Sequence, residues 1–240
     1  MIKKLRVISL FLIIAGCSTS SSNVIEKVDT VPIETEKEPA LIEQHEEEEM
    51  EQYIEFFLDD EQVLVNLQMV PILKEYLSGS KHRQSAINDM KLDRLPLEDH
   101  QIYLLEFSCF HDSCSYLLFN QSGNNAAYLI ADLAKSKNIL ISPDQSKVAI
   151  QFSRNGKQNL ELDNIVVIDL IEWKVLSLNN ETSEDNFLNY TWPYVGVQWM
   201  DDETLTVSVP DIIEPTSQHI SEWNEVGGNV IINTYLTERR

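Results

Sequence analysis

Basic residues are scarce in this 240-residue chain: 18 lysines and arginines stand against 39 aspartates and glutamates, a formal net charge of −21. A surface this acidic offers no basic stripe on which phosphates could collect, so nucleic acid is excluded as a partner. Glycine is scarcer still, at seven residues. No phosphate-cradling glycine loop, no Gly-x-Ser-x-Gly elbow and no His-Glu-x-x-His is present, which removes the local signatures of nucleotide binding, serine hydrolysis and zinc proteolysis. The histidines, His45, His82, His100, His111 and His219, are scattered through polar segments where solvation is the expected fate. No cofactor and no metal site is expected. Long apolar runs are missing too. The stretch from Val7 to Ile14 is eight residues long, far below the ~20 residues of a membrane-spanning helix.

That short run has the layout of an export signal. Lys3, Lys4 and Arg6 form a positive leader, the apolar stretch follows, and Ala15-Gly16 supply the small residues that a signal peptidase requires. The run Ile14-Ala15-Gly16-Cys17 resembles the lipobox of bacterial lipoproteins, with Ile14 where that family usually carries Leu. The resemblance covers residues 1 to 17. It implies that residues 1–16 are a signal peptide, that Cys17 becomes the new terminus and carries lipid, and that the protein is anchored to a bacterial membrane on its extracytoplasmic side. Each buried methylene contributes ~0.8 kcal/mol and two chains suffice for persistent anchoring, so the diacylglyceryl group of this family implies stable attachment.

Charge marks the next boundary. Residues 26–61 carry fifteen acids against Lys27 and Lys37, whereas residues 1–25 carry no acid at all. Glu46 to Glu49 are four like charges in a row. A segment this polar buries too little apolar surface to offset its ordering entropy, so residues 17–52 read as a disordered acidic tether. At ~35 residues it would hold the folded part roughly 30 to 35 Å from the anchor as a flexible coil, and further with self-repulsion. Two other readings of this stretch stay open: a calcium or cationic-partner site in the Glu run, and a short amphipathic helix from Glu46 to Leu58.

From residue 53 to 240 the composition turns β-branched and alternating. Ile102 to Cys109, Cys114 to Asn120, Ala126 to Leu133, Val148 to Phe152, Ile165 to Leu170, Leu205 to Val209 and Val230 to Leu236 each read as a strand. Turn residues separate them, among them Ser122-Gly123-Asn124, Ser142-Pro143-Asp144 and Gly227-Gly228-Asn229. Met69 to Leu77 carries the clearest helical period. The expected fold is mainly antiparallel β. Internal similarity sharpens it: Phe57-Leu58-Asp59-Asp60-Glu61, Trp199-Met200-Asp201-Asp202-Glu203 and Ile141-Ser142-Pro143-Asp144-Gln145 share a shape, an apolar pair followed by an acidic turn and a strand. Tyr128 to Leu133 and Val166 to Leu170 add an Ile-Asp-Leu-like strand. This combination resembles the blades of TolB-like and WD40-like propeller proteins, with Gln145 where the repeats usually have Gly. The resemblance implies blade-like sheets, and the length allows a small or partial propeller of four blades at most.

With Cys17 lipidated, Cys109 and Cys114 remain as an even pair. A four-residue hairpin loop would set them opposite each other and would pair Phe107 with Tyr116 and Leu105 with Leu118. A structural disulfide is the expected outcome in an exported chain. Two alternatives stay open, a metal site from Cys109, His111, Asp112 and Cys114, and a redox pair. Asp59, Asp60, Asp201 and Asp202 read as turn formers before paired catalytic acids. Trp173, Trp192, Trp199 and Trp223 read as packing residues before a carbohydrate groove. The sequence therefore points to a noncatalytic binding module of the envelope, acting on another envelope protein. The alternative is an extracytoplasmic hydrolase or carbohydrate-active enzyme whose site forms only in the fold.

Overall fold

The computed structural model describes residues 24–28, 40–43, 52–59, 61–98, 100–121 and 127–238. Cys17 and the signal segment lie outside them, as do His45, Asp60, the Glu46 to Glu49 run and the Ser122-Gly123-Asn124 turn. The strands in chain order are β1 Ile25–Val28, β2 Ala40–Glu43, β3 Gln52–Phe57, β4 Gln62–Asn66, β5 Lys91–Arg94, β6 Ile102–Phe110 and β7 Ser113–Asn120. Then come β8 Ala127–Ile141, β9 Lys147–Asn155, β10 Glu161–Asp169, β11 Lys174–Asn180, β12 Gly196–Trp199, β13 Thr204–Pro210 and β14 Val230–Glu238. Three helices interrupt them: α1 Pro71–Gly79, α2 Arg83–Asn88 and α3 Ser217–Val226. No described helix is long and apolar enough to cross a membrane.

Among the described residues all the strand pairings are antiparallel and form two sheets. One has four strands in the order β1-β4-β3-β2; the other has ten, β12-β13-β14-β11-β10-β9-β8-β7-β6-β5. The mainly antiparallel β class is therefore as expected. The propeller is not. In a propeller, separate sheets face one another around an axis, whereas here the backbone ladder runs unbroken from β5 to β12. The joint is β8. Its residues up to Ala134 pair with β7 and those from Lys135 pair with β9, so one fifteen-residue strand belongs to two would-be blades. A continuous ladder of this kind leaves no blade boundary.

The motifs that suggested blades are hairpin turns. They lie between β3 and β4, β8 and β9, and β12 and β13. In the middle one, Asp144 Oδ1 accepts from Ser142 Oγ at 2.7 Å and from Ser146 N at 2.9 Å, while Lys147 N donates back to Ser142 Oγ at 2.9 Å. Gln145 follows with φ +58°. The position does require the left-handed conformation that glycine adopts freely, and glutamine holds it here at some conformational cost.

Two strands come from the acidic segment read as a tether: β1 pairs with β4, and β2 pairs with β3. Val24 and Ile25 are fully covered in the core. Gln52–Phe57 is a strand, which overturns the amphipathic helix suggested for Glu46 to Leu58.

Three apolar clusters explain why the middle of the large sheet carries near-continuous hydrophobic runs. Tyr103, Leu105, Phe107, Leu117 and Phe119 of β6 and β7 face the small sheet and α1, where Leu73 and Leu77 lie buried. The other face of the same strands presents Ile102, Leu104, Tyr116 and Leu118 to a cluster continuing through Val148, Ile150, Phe152, Ile168 and Leu170. Ala149, Ile165 and Val167 then point the opposite way, towards Leu205, Val207, Val209 and Tyr235. A strand buried on both faces loses the alternation of a half-exposed one and reads as an apolar run.

Candidate functional site

The β6–β7 hairpin is closed by a Cys109–Cys114 disulfide with Cα atoms 4.0 Å apart. The expected pairing of the cysteines is correct, but the expected register holds only at the tip. Phe110 pairs with Ser113, leaving His111 and Asp112 as a two-residue turn with His111 at φ +55°. Below the tip a bulge with Ser108 at φ +53° adds a residue to β6. Phe107 therefore pairs with Ser115, Leu105 with Leu117, and Glu106 with Tyr116. One extra residue on one strand shifts every pair below it by one position.

That shift assembles the site. Lys91 of β5, Glu106 of β6 and Tyr116 of β7 stand side by side across three neighbouring strands. The Glu106 carboxylate is 3.7 Å from Lys91 Nζ and accepts from the Tyr116 hydroxyl at 3.2 Å. Tyr116 in turn accepts from the Ser136 amide at 3.1 Å. Burial, opposed by the Ser136 amide and reinforced by Glu106, pushes the Tyr116 hydroxyl up to about 12. It remains a donor at neutral pH. The other Glu106 oxygen, Oε1, lies 3.6 Å from Cys109 Sγ.

These groups line an open groove of about 610 Å³, with Lys135, His111 and Asp112 at its margin. Cys109 is exposed in it, whereas Cys114 is only 4% exposed. Glu106 was not singled out in the sequence, and no local pattern marks it. The metal reading changes accordingly: the donors that converge are Glu106, Cys109 and Cys114, with ligand atoms within 4.8 Å of one another, rather than the His111 and Asp112 set. With the sulfurs joined they are not thiolate ligands.

The remaining candidates are structural. Asp201 Oδ1 accepts from Glu203 N at 2.9 Å and Thr204 N at 2.8 Å, closing its turn, and Asp202 Oδ1 accepts from Asp144 N at 2.9 Å, tying two hairpin tips together. Trp173 is buried beside Tyr128, Trp192 packs on Phe187, and Trp199 Nε1 donates to the Leu140 carbonyl at 3.2 Å. Trp223 lies over Gly228, where a Cβ would come within 2.2 Å of its ring. Each of these four rings has a packing or hydrogen-bonding partner of its own.

A second surface lies at the far end of the large sheet. The connection from β13 to β14 carries α3, a ten-residue helix with no buried residue. Its ends are held by Thr216, whose hydroxyl accepts from His219 N, and by Gly227 in the left-handed conformation. Around it Ile213 is 92% exposed and Val226 79%, while Val230 and Ile232, two apart on the outer face of β14, are also exposed. The same connection carries the exposed acids Glu214, Glu222 and Glu225.

No protein-family model, curated protein or solved structure gives a significant match to this chain.

Proposed function

We propose that this chain is a lipid-anchored envelope protein, held by Cys17, whose β domain is a noncatalytic binding module for another envelope protein. The observation that carries the reading is the β13–β14 connection: Ile213, Val226 of α3, and Val230 and Ile232 of β14 are all exposed aliphatic side chains, and α3 has no buried residue. Large apolar side chains left exposed along one connection and the strand it enters point to an interaction site. The exposed acids of this connection, Glu214, Glu222 and Glu225, favour a partner whose apolar contact is accompanied by Lys or Arg, because like charges across an interface repel.

Photo-crosslinking from position 213 in intact cells tests this directly. A discrete adduct is expected, and Ile232→Asp should reduce its yield by at least about tenfold, the loss that follows from placing a charge in an apolar contact, with no change in the unfolding midpoint. Unchanged yield would sink the assignment of the surface. The anchor is checked separately by fractionation: Cys17→Ala should move the protein out of the membrane fraction, and retention there would show that Cys17 is not the attachment point.

A further inference from the structure

We propose that the Cys109–Cys114 disulfide is a thiol–disulfide exchange site that takes two electrons from a dithiol protein, with Cys109 as the attacked sulfur and Glu106 as its proton-transfer partner. The site is separate from the α3 surface and does not depend on it.

Four observations carry this. The cysteines differ in access: both line the groove, but Cys109 is exposed and Cys114 is covered, which makes Cys109 the better target for an incoming thiolate. Exposed disulfides are the exchangeable ones, while structural ones are sequestered. The fold has little use for the bond as a staple. Closing so short a loop contributes only about 2 kcal/mol on the chain-entropy model, and β7 is already paired on both sides along its length. A staple also needs no acid, yet Glu106 Oε2 accepts from the Tyr116 hydroxyl while its Oε1 lies 3.7 Å from Lys91 Nζ and 3.6 Å from the exposed Cys109 Sγ. Finally, the groove is open and large enough to admit a peptide segment bearing the attacking thiol.

The chemistry balances without an outside oxidant. A thiolate of the partner attacks Cys109 Sγ, a partner–Cys109 disulfide forms, and Cys114 leaves as a thiolate. The partner's second thiolate then attacks its own sulfur in that mixed disulfide, closes the partner's disulfide and expels Cys109 as a thiolate. Two protons from the partner's thiols end on the two cysteines, and Glu106 carries the one that reaches Cys109. In the reverse direction Glu106 takes the Cys109 proton and makes it the nucleophile.

The full-length protein tests this with dithiothreitol as the probe dithiol. Reduction is followed by acid quench, alkylation and peptide mapping, which keeps the Cys17 peptide apart. The native bond should be reduced at least as fast as the same bond in urea-unfolded protein. Slower reduction by tenfold or more in the native state would overturn the proposal, since it is the behaviour of a protected structural bond. A Cys114→Ser variant should form a mixed disulfide on Cys109 with a single-cysteine peptide activated as its thiopyridyl disulfide, thiopyridone being the leaving group, and Cys109→Ser should react at Cys114 at least about tenfold more slowly; equal rates would contradict the assigned attack. Glu106→Gln should slow reoxidation of the reduced pair by oxidised glutathione, which accepts the two electrons, by about tenfold or more, the scale of a lost general base. An unchanged rate would remove Glu106 from the mechanism.

Discussion

Phe152→Ala is expected to cost about 3 to 5 kcal/mol of folding stability, the range for emptying a buried phenylalanine site. Phe152 is fully buried in β9, pairs laterally with Ser136 and Asn164, and its ring centroid is 5.1 Å from that of Tyr116. The residue therefore sits beneath the hairpin that carries the disulfide groove. Since whole domains are stable by only about 5 to 15 kcal/mol, one truncation here removes a large share. Phe152→Leu, which keeps most of the volume, should cost about 1.5 kcal/mol or less. Urea titration followed by tryptophan fluorescence separates the two through their midpoints at constant slope. An alanine variant that loses under about 1 kcal/mol, against the cavity cost above, would mean that this face of the sheet is not packed as described.

Asp163→Ala should be the second large loss, about 3 kcal/mol or more, because it strips two hydrogen bonds from a buried carboxylate and orphans their donors. Gln151 Nε2 donates to its Oδ1 at 2.9 Å, and the Tyr194 amide donates to Oδ2 at 2.7 Å. The backbone of the same residue bonds Trp192 and Tyr190. One side chain thus fastens the 190–194 segment to β10. Burial pushes its carboxyl above the ordinary value, outweighing the bonds from Tyr194 and Gln151. The fold therefore binds the proton more tightly than the unfolded chain does, and the contribution of this group to stability falls as pH rises from the ordinary carboxylate value through the raised one. Asp163→Asn removes that titration. Its stability relative to the wild type should rise across this interval in urea midpoints taken at stepped pH; a constant difference would refute the assignment.

Strand existence was legible wherever a strand is long and buried. Each of the seven segments read from the sequence is a strand, and Met69 to Leu77 overlaps α1. Short edge elements such as β5 and β12 are too brief and too polar to stand out. Helix α3 escaped for a different reason. Its apolar face is only Ile220 and Trp223, both half-buried among polar residues, so its clearest signals were its ends: Thr216 as a cap and Gly227 as the terminator. The turn motifs at Asp59, Asp144 and Asp201 were read correctly as turns and wrongly as blade markers. Turn chemistry is local, whereas whether two sheets stay separate depends on how far a strand such as β8 continues.

The sequence by itself determined the strand-rich class, the pairing of Cys109 with Cys114 and the expectation of an anchor at Cys17, because each rests on neighbours along the chain. Only the tertiary structure decided the register of the hairpin, the position of Glu106 beside Cys109 and the unbroken ladder that replaces a propeller. Alternation fixes which side chains share a face of one strand, but a single bulged residue at Ser108 decides which residue of the next strand stands opposite. That relation between two strands is set by pairing and packing together, and no pattern along either strand contains it.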